Sequence, residues 1–84
     1  MNPATKQELI EMITQELQKE TEYPLDMLKP DKSLEAVLGI DSITQAEVLA
    51  KIRERFSLPR EEKFRLRDYP TIEAWADYLL KRLS

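Results

Sequence analysis

Leu9, Ile13 and Leu17 recur at four-residue steps with Ile10 beside them, a spacing that gathers them on one face of a helix. Nowhere does the chain show the every-second-residue alternation of a half-buried strand. This period constrains the fold more than any other feature, because amphipathic helices must bury their apolar faces against one another. It appears three times. The first helix is predicted over Thr5 to about Gln18, and Thr5-Lys6-Gln7-Glu8 has the Ser/Thr-x-x-Glu form of a capping box. The second is predicted over Ser42 to Phe56, with Gln45, Leu49, Ile52 and Phe56 along one line and Ile43, Ala46 and Val48 beside it. Asp41 is its expected N-cap, and Ser57-Leu58-Pro59 ends it. The third opens at Pro70-Thr71, with Thr71 as cap, Glu73 in the first turn, and Ile72, Trp75, Leu79 and Leu83 at near-helical steps.

Between the first two helices lies a long connection, Thr21 to Asp41, punctuated by Pro24, Pro30 and Gly39. Tyr23, Leu25, Met27, Leu28, Leu34 and Leu38 are expected to pin it to the core, with a short helical turn across Leu34 to Leu38. A loop this long in a small domain often carries function. A minor helix is predicted near Glu61 to Phe64. The expectation is therefore an all-α fold: a small four-helix bundle of three main helices and one short one, with residues 1–84 forming a single domain.

Absent residue types exclude most catalysis. The 84 residues contain no histidine, so no Ser-His couple and no imidazole metal ligand can be built. They contain no cysteine, which removes disulfides, thiolate nucleophiles and zinc-thiolate sites together. Asp26 and Asp31 lack the spacing of a calcium loop, so no metal is assigned. A net charge of −3 argues against nucleic acid as the main partner. The start lacks the apolar core of a signal peptide, and no apolar run approaches a membrane span. A cytoplasmic protein that does not engage membranes, monomeric as an isolated domain, is expected. An enzyme in its own right is not.

What remains is V-L-G-I-D-S-I, residues 37–43, which holds the only glycine. It has two readings. Asp41 and Ser42 are both common at helix starts, where a side-chain oxygen accepts a bond from a free backbone N–H, and Gly39 can supply a positive φ. Alternatively, the Ser42 hydroxyl is where something is attached, since the first turn of a helix favours an anion, above all a phosphate. With no base at hand, Ser42 is a poor self-activated nucleophile and suits modification by another enzyme.

Gly39-Ile40-Asp41-Ser42-Ile43, followed by Glu47-Val48-Leu49 on the same helix, resembles the modification site of acyl carrier proteins. Thr21-Glu22-Tyr23-Pro24-Leu25-Asp26-Met27-Leu28 resembles the loop of carrier domains from polyketide and polyunsaturated-fatty-acid synthases. Arg67-Asp68-Tyr69-Pro70-Thr71-Ile72 resembles the lead-in to their last helix, and the likeness spans about residues 5 to 83. The resemblance implies that Ser42 receives 4′-phosphopantetheine from coenzyme A through a separate phosphopantetheinyl transferase. The arm's thiol would then hold acyl intermediates as thioesters for a ketosynthase, an acyltransferase or other synthase enzymes. Asp41 would cap the helix beside the attachment point, and Gly39 would turn the loop.

The chain also departs from that pattern. Val37 stands where many such proteins carry an acidic residue. Ser42 to Phe56 carries two carboxylates against three cations, a net +1, while Tyr23 to Asp41 carries a net −2. Partner recognition is therefore expected to be mixed, with Ile43, Thr44, Gln45 and Glu47 as contact residues. Glu47 and Lys51 also read as an i,i+4 helix pair. Trp75 reads as core, and Lys63, Arg65 and Arg67 as a solvated face flanked by Glu61, Glu62 and Asp68. Two alternatives stay open: a peptidyl carrier domain, and an unmodified docking module with a carrier-like fold.

Overall fold

The computed structural model describes residues 5–83. Helix α1 (Lys6–Thr21) starts on the Thr5 cap expected from the sequence, with Glu8 bonded to the Thr5 hydroxyl. Thr5 Oγ1 accepts the Glu8 N–H at 3.1 Å and donates its own proton to Glu8 Oε1 at 3.0 Å. It runs nearly a turn beyond the predicted end, because the Thr21 hydroxyl donates to the Leu17 carbonyl at 2.7 Å. Glu22, in the left-handed region at φ 60°, stops it. Helix α2 (Ser42–Arg55) begins on the Asp41 cap, and helix α3 (Ile72–Leu83) on Thr71, whose Oγ1 accepts the Ala74 N–H at 3.0 Å. There is no strand among the described residues.

The three apolar faces meet as their spacing dictates. Leu9, Ile13 and Leu17 of α1, Val48, Leu49 and Ile52 of α2, and Ile72, Trp75 and Leu79 of α3 form one buried cluster. Trp75 is fully buried at its centre, and its Nε1–H donates to the Tyr69 carbonyl at 2.7 Å. Each such side chain contributes about 1.5–3 kcal/mol by leaving water. Ion pairs close the seams at the surface: Lys6 lies 3.0 Å from both Glu73 and Asp77 on α3, and Arg55 lies 3.6 Å from Glu16 on α1. Lys51 pairs with Glu20 of α1, not with Glu47. The interhelical partner raises the Lys51 pKa, and no helix-local pair with Glu47 forms.

Two expectations for the connections need correcting. Leu28, Leu34 and Leu38 are buried as predicted, but Leu25 and Met27 are 53% and 47% exposed. Residues Leu25–Met27 form a single 3-10 turn, which can direct only one side inward, and Leu28 occupies the inward position. Ile40, not singled out as core, is buried in their place. The minor helix expected near Glu61 to Phe64 is absent, and a three-residue 3-10 turn lies later, at Leu66–Asp68. A four-residue helix gains too few hydrogen bonds to meet its nucleation cost. Long-range contacts hold those residues instead: Glu61 binds Arg82 and Tyr78, and the Phe64 ring stacks on Tyr69.

Candidate functional site

The connection from α1 is tied down before it reaches α2. Glu73 N–H donates to the Pro30 carbonyl at 3.0 Å, and Leu34 N–H donates to the Pro70 carbonyl at 2.8 Å. Ser33 caps the following turn, its Oγ accepting the Ala36 N–H at 3.1 Å. Ile40 N–H then returns to the Leu34 carbonyl at 2.8 Å. The path between requires Gly39 at φ 67°. A Cβ there would meet nothing within 4 Å, so glycine is needed for its backbone freedom and not for space.

Asp41 follows in extended conformation and starts α2. Its Oδ1 accepts the Thr44 N–H at 2.7 Å and its carbonyl accepts the Gln45 N–H at 3.0 Å. The Thr44 backbone bond, aided by the Thr44 hydroxyl, holds the Asp41 carboxyl below its usual range, so it stays ionised. Ser42 is the first helical residue and is exposed. Its hydroxyl and its N–H bond to no other described residue. A free hydroxyl at a capped helix start can be reached by a partner's active site and can be phosphorylated or esterified there without unpicking any contact.

The remaining predicted contact residues divide. Ile43 is 71% exposed and Glu47 is exposed, so both are open to a partner. Thr44 is half-buried and spends its N–H on Asp41. Gln45 is corrected: it is 4% exposed, and its Nε2 donates to the Ile40 carbonyl at 2.9 Å. Its position on the Leu49–Ile52 line placed it inward, and its amide now braces the loop from inside. Val37, 61% exposed, adds an apolar surface that spacing alone did not assign to the site.

Two concavities adjoin this end of α2. One, of about 160 Å³, is lined by Ser42, Ser33, Glu35, Leu66 and Arg67. Arg67 was read as part of a solvated face; it is exposed, like Lys63 and Arg65, but it alone of the three shares this depression. The other is an open groove of about 1050 Å³ along the flank of α2, lined by Leu49, Leu58, Phe64 and Leu66 together with Glu47 and Arg53. Leu66 belongs to both. An exposed hydroxyl, a free N–H and a guanidinium within one depression suit a serine-linked phosphodiester, so the residues present fit such a group.

The family model described as "Phosphopantetheine attachment site" matches residues 11–79. The solved structure of a free-standing peptidyl carrier protein from an uncharacterized Acinetobacter baumannii secondary metabolic pathway is similar at 29% identity and a TM-score of 0.83. That match covers 98% of this chain and 100% of the other. No curated protein sequence matches significantly. The all-helical arrangement is thus that of a carrier protein.

Proposed function

The chain belongs to the phosphopantetheine attachment-site family, and from that premise we propose that it is an acyl carrier protein whose arm is attached at Ser42. Members of this family carry a covalent 4′-phosphopantetheine and are not catalytic; partner enzymes do the chemistry. When bound, the arm supplies the thiol that this cysteine-free chain lacks, and holds an acyl group on it as a thioester.

The chain's own residues prepare the attachment. Asp41 caps α2 and leaves the Ser42 hydroxyl free and outward. That free hydroxyl is the observation that carries the reading. In loading, Ser42 Oγ forms the bond to phosphorus as the pyrophosphate bond of coenzyme A breaks and adenosine 3′,5′-bisphosphate leaves. With no histidine in the chain, the base that takes the Oγ proton belongs to the phosphopantetheinyl transferase. Residues 1–84 then act as one delivery unit in the cytoplasm, raising the effective concentration of the acyl group at partner active sites. Polyketide- or fatty-acid-synthase-type enzymes are the proposed partners. Exposed Ile43 and Val37 beside Glu47 favour mixed apolar and charged docking over purely acidic recognition.

Intact mass after incubation with coenzyme A and a broad-specificity phosphopantetheinyl transferase tests the attachment. One phosphopantetheine is expected on the native chain and none on Ser42→Ala. An equal gain on both proteins, or no gain on either, defeats the assignment. The likeness to a peptidyl carrier favours a second reading in which the cargo is an aminoacyl group. Offering the loaded protein to a malonyl-transferring acyltransferase, and in parallel to amino-acid-adenylating enzymes with ATP, separates the two by which one charges the thiol.

A further inference from the structure

The Ser42 depression contains a cation with no assigned task. Arg67, at the centre of the 3-10 turn Leu66–Asp68, lines the depression and forms no ion pair or hydrogen bond with another described residue. Most other cations around α2 are engaged: Lys51 by Glu20, Arg55 by Glu16, and Arg82 by Glu61, while Arg53 lies over the Phe64 ring. The turn that carries Arg67 is held in place on both sides. Its Asp68 and Tyr69 N–H groups bond back to Arg65 and Leu66, and Trp75 grips the Tyr69 carbonyl.

The local charge makes that cation consequential. Glu35 lines the same depression, and the ionised Asp41 is the neighbour of Ser42 in the chain. A phosphodiester on Ser42 would add a third negative charge, and Arg67 is the cation placed to offset it. A guanidinium offers paired N–H donors that match phosphate oxygens in geometry as well as charge. Ser33 reinforces this. Its Oγ is occupied as an acceptor by the Ala36 N–H, so its own proton is available to donate into the depression.

Resting on attachment at Ser42, we propose that Arg67 is a positioning residue that holds the phosphodiester of the arm against the Leu66–Asp68 turn. Because Leu66 also walls the larger groove along α2, Arg67 directs the arm toward that groove. Arg67 thereby sets the direction in which cargo leaves the protein, without touching the reacting atoms.

The test uses the full chain loaded with phosphopantetheine, loading being verified first by intact mass so that a failure at Ser42 is seen separately. In isotope-labelled protein, loading should move the Arg67 side-chain Nε–H resonance at least about threefold more than those of Arg60 and Arg65, as a charge-assisted bond to one of the three requires. Salt at about 1 M, where the Debye length is about 3 Å, should shrink that displacement. The phosphorus resonance of the loaded protein should shift in Arg67→Ala, be partly restored in Arg67→Lys, and stay in place in Arg65→Ala. A spin label on the thiol should broaden groove residues such as Leu58 and Leu66 several-fold less in Arg67→Glu than in the native chain. An Arg67 resonance that moves no more than its neighbours', or a phosphorus resonance indifferent to Arg67, overturns the proposal. Arg67 is exposed, so the variants should fold, and circular dichroism checks it.

Discussion

The connection leading into α2 and the one leading out of it are held by different kinds of contact. Residues 22–41 are anchored by burial: Leu28, Leu34, Leu38 and Ile40 enter the core, and two backbone bonds fasten the segment to the start of α3. Residues 56–71 place no side chain fully in the core; half-buried rings and aliphatic groups pack on its edge, charges join them, and the Trp75 indole holds the Tyr69 carbonyl. Phe64 stacks on Tyr69 at 4.8 Å and leans on Tyr78, Arg53 lies 4.7 Å over the Phe64 ring, and Glu61 binds Arg82 and Tyr78. Burial holds a segment in one place under most conditions, whereas exposed ion pairs are modest in energy and screened by salt. Ser42 lies at the end of the more deeply buried connection, and one wall of the open groove comes from the half-buried one. With attachment at Ser42 as proposed, the arm would start from the buried connection and face a groove walled in part by the half-buried one.

Truncation of one anchor in each connection should break the symmetry most visibly. Leu34→Ala removes a fully buried side chain and should cost about 2–5 kcal/mol in urea unfolding. Phe64→Ala deletes more atoms but from a half-buried ring, and should cost only about 1–2 kcal/mol, mostly ring contacts. If Phe64→Ala proves the more damaging, the two connections do not differ as described. A smaller, paired effect comes from the backbone. Both connections contain a residue with positive φ, Gly39 at 67° and Ser57 at 56°. Gly39→Ala forces a side chain into the left-handed region and should cost about 1–2 kcal/mol. Ser57→Gly relieves the same strain but frees the unfolded chain, so a net gain within about 1 kcal/mol is expected. Opposite signs are expected in thermal unfolding; equal signs would mean that the two positive-φ positions do not carry the same strain.

What could be read from the sequence follows the reach of each signal. Thr5, Asp41 and Thr71 were legible as caps because a cap acts within three residues. The period that placed Leu9, Ile52 and Trp75 inward was legible because a helix repeats locally. Gln45 shows that period outranks polarity: its position on the buried line was right, and its amide suggested a contact role that its burial denies. Lys51 had an acidic residue four positions back, yet its partner lies on α1, a choice made by helix packing that no local spacing encodes. The turn Leu66–Asp68, and with it the place of Arg67 beside Ser42, depends on Trp75 and on the Pro70 bond to Leu34. The Leu34–Pro70 bond joins distant parts of the chain, and the Trp75–Tyr69 bond runs six residues back from a helix into a turn, so neither periodicity nor cap chemistry could announce them.

The subtlest difference between the connections should appear only on acidification. Glu61 receives Arg82 Nε–H at 2.5 Å and the Tyr78 hydroxyl at 2.6 Å, with Arg53 adding a further positive charge nearby. Arg82 first, then Tyr78, lowers its pKa from 4.5 to about 2. A carboxyl whose folded pKa is depressed contributes stability above its unfolded value and loses it as pH falls through the folded one. The Glu61 contribution is therefore complete above about pH 5, erodes between pH 4.5 and about 2, and is gone below that. The same links raise the Arg82 pKa further above its ordinary value, so the arginine introduces no competing transition in this window. Comparing native and Glu61→Gln proteins by thermal unfolding from pH 7 to pH 2 isolates the effect from the other carboxylates. The native protein should be the more stable at neutral pH, and the gap should close as pH approaches 2. High salt should narrow the gap at every pH, because the groups lie at the surface. Parallel profiles would mean that Glu61 does not hold the outgoing connection. By the same logic Leu34→Ala should show a constant offset across this range, since the anchor it removes carries no charge.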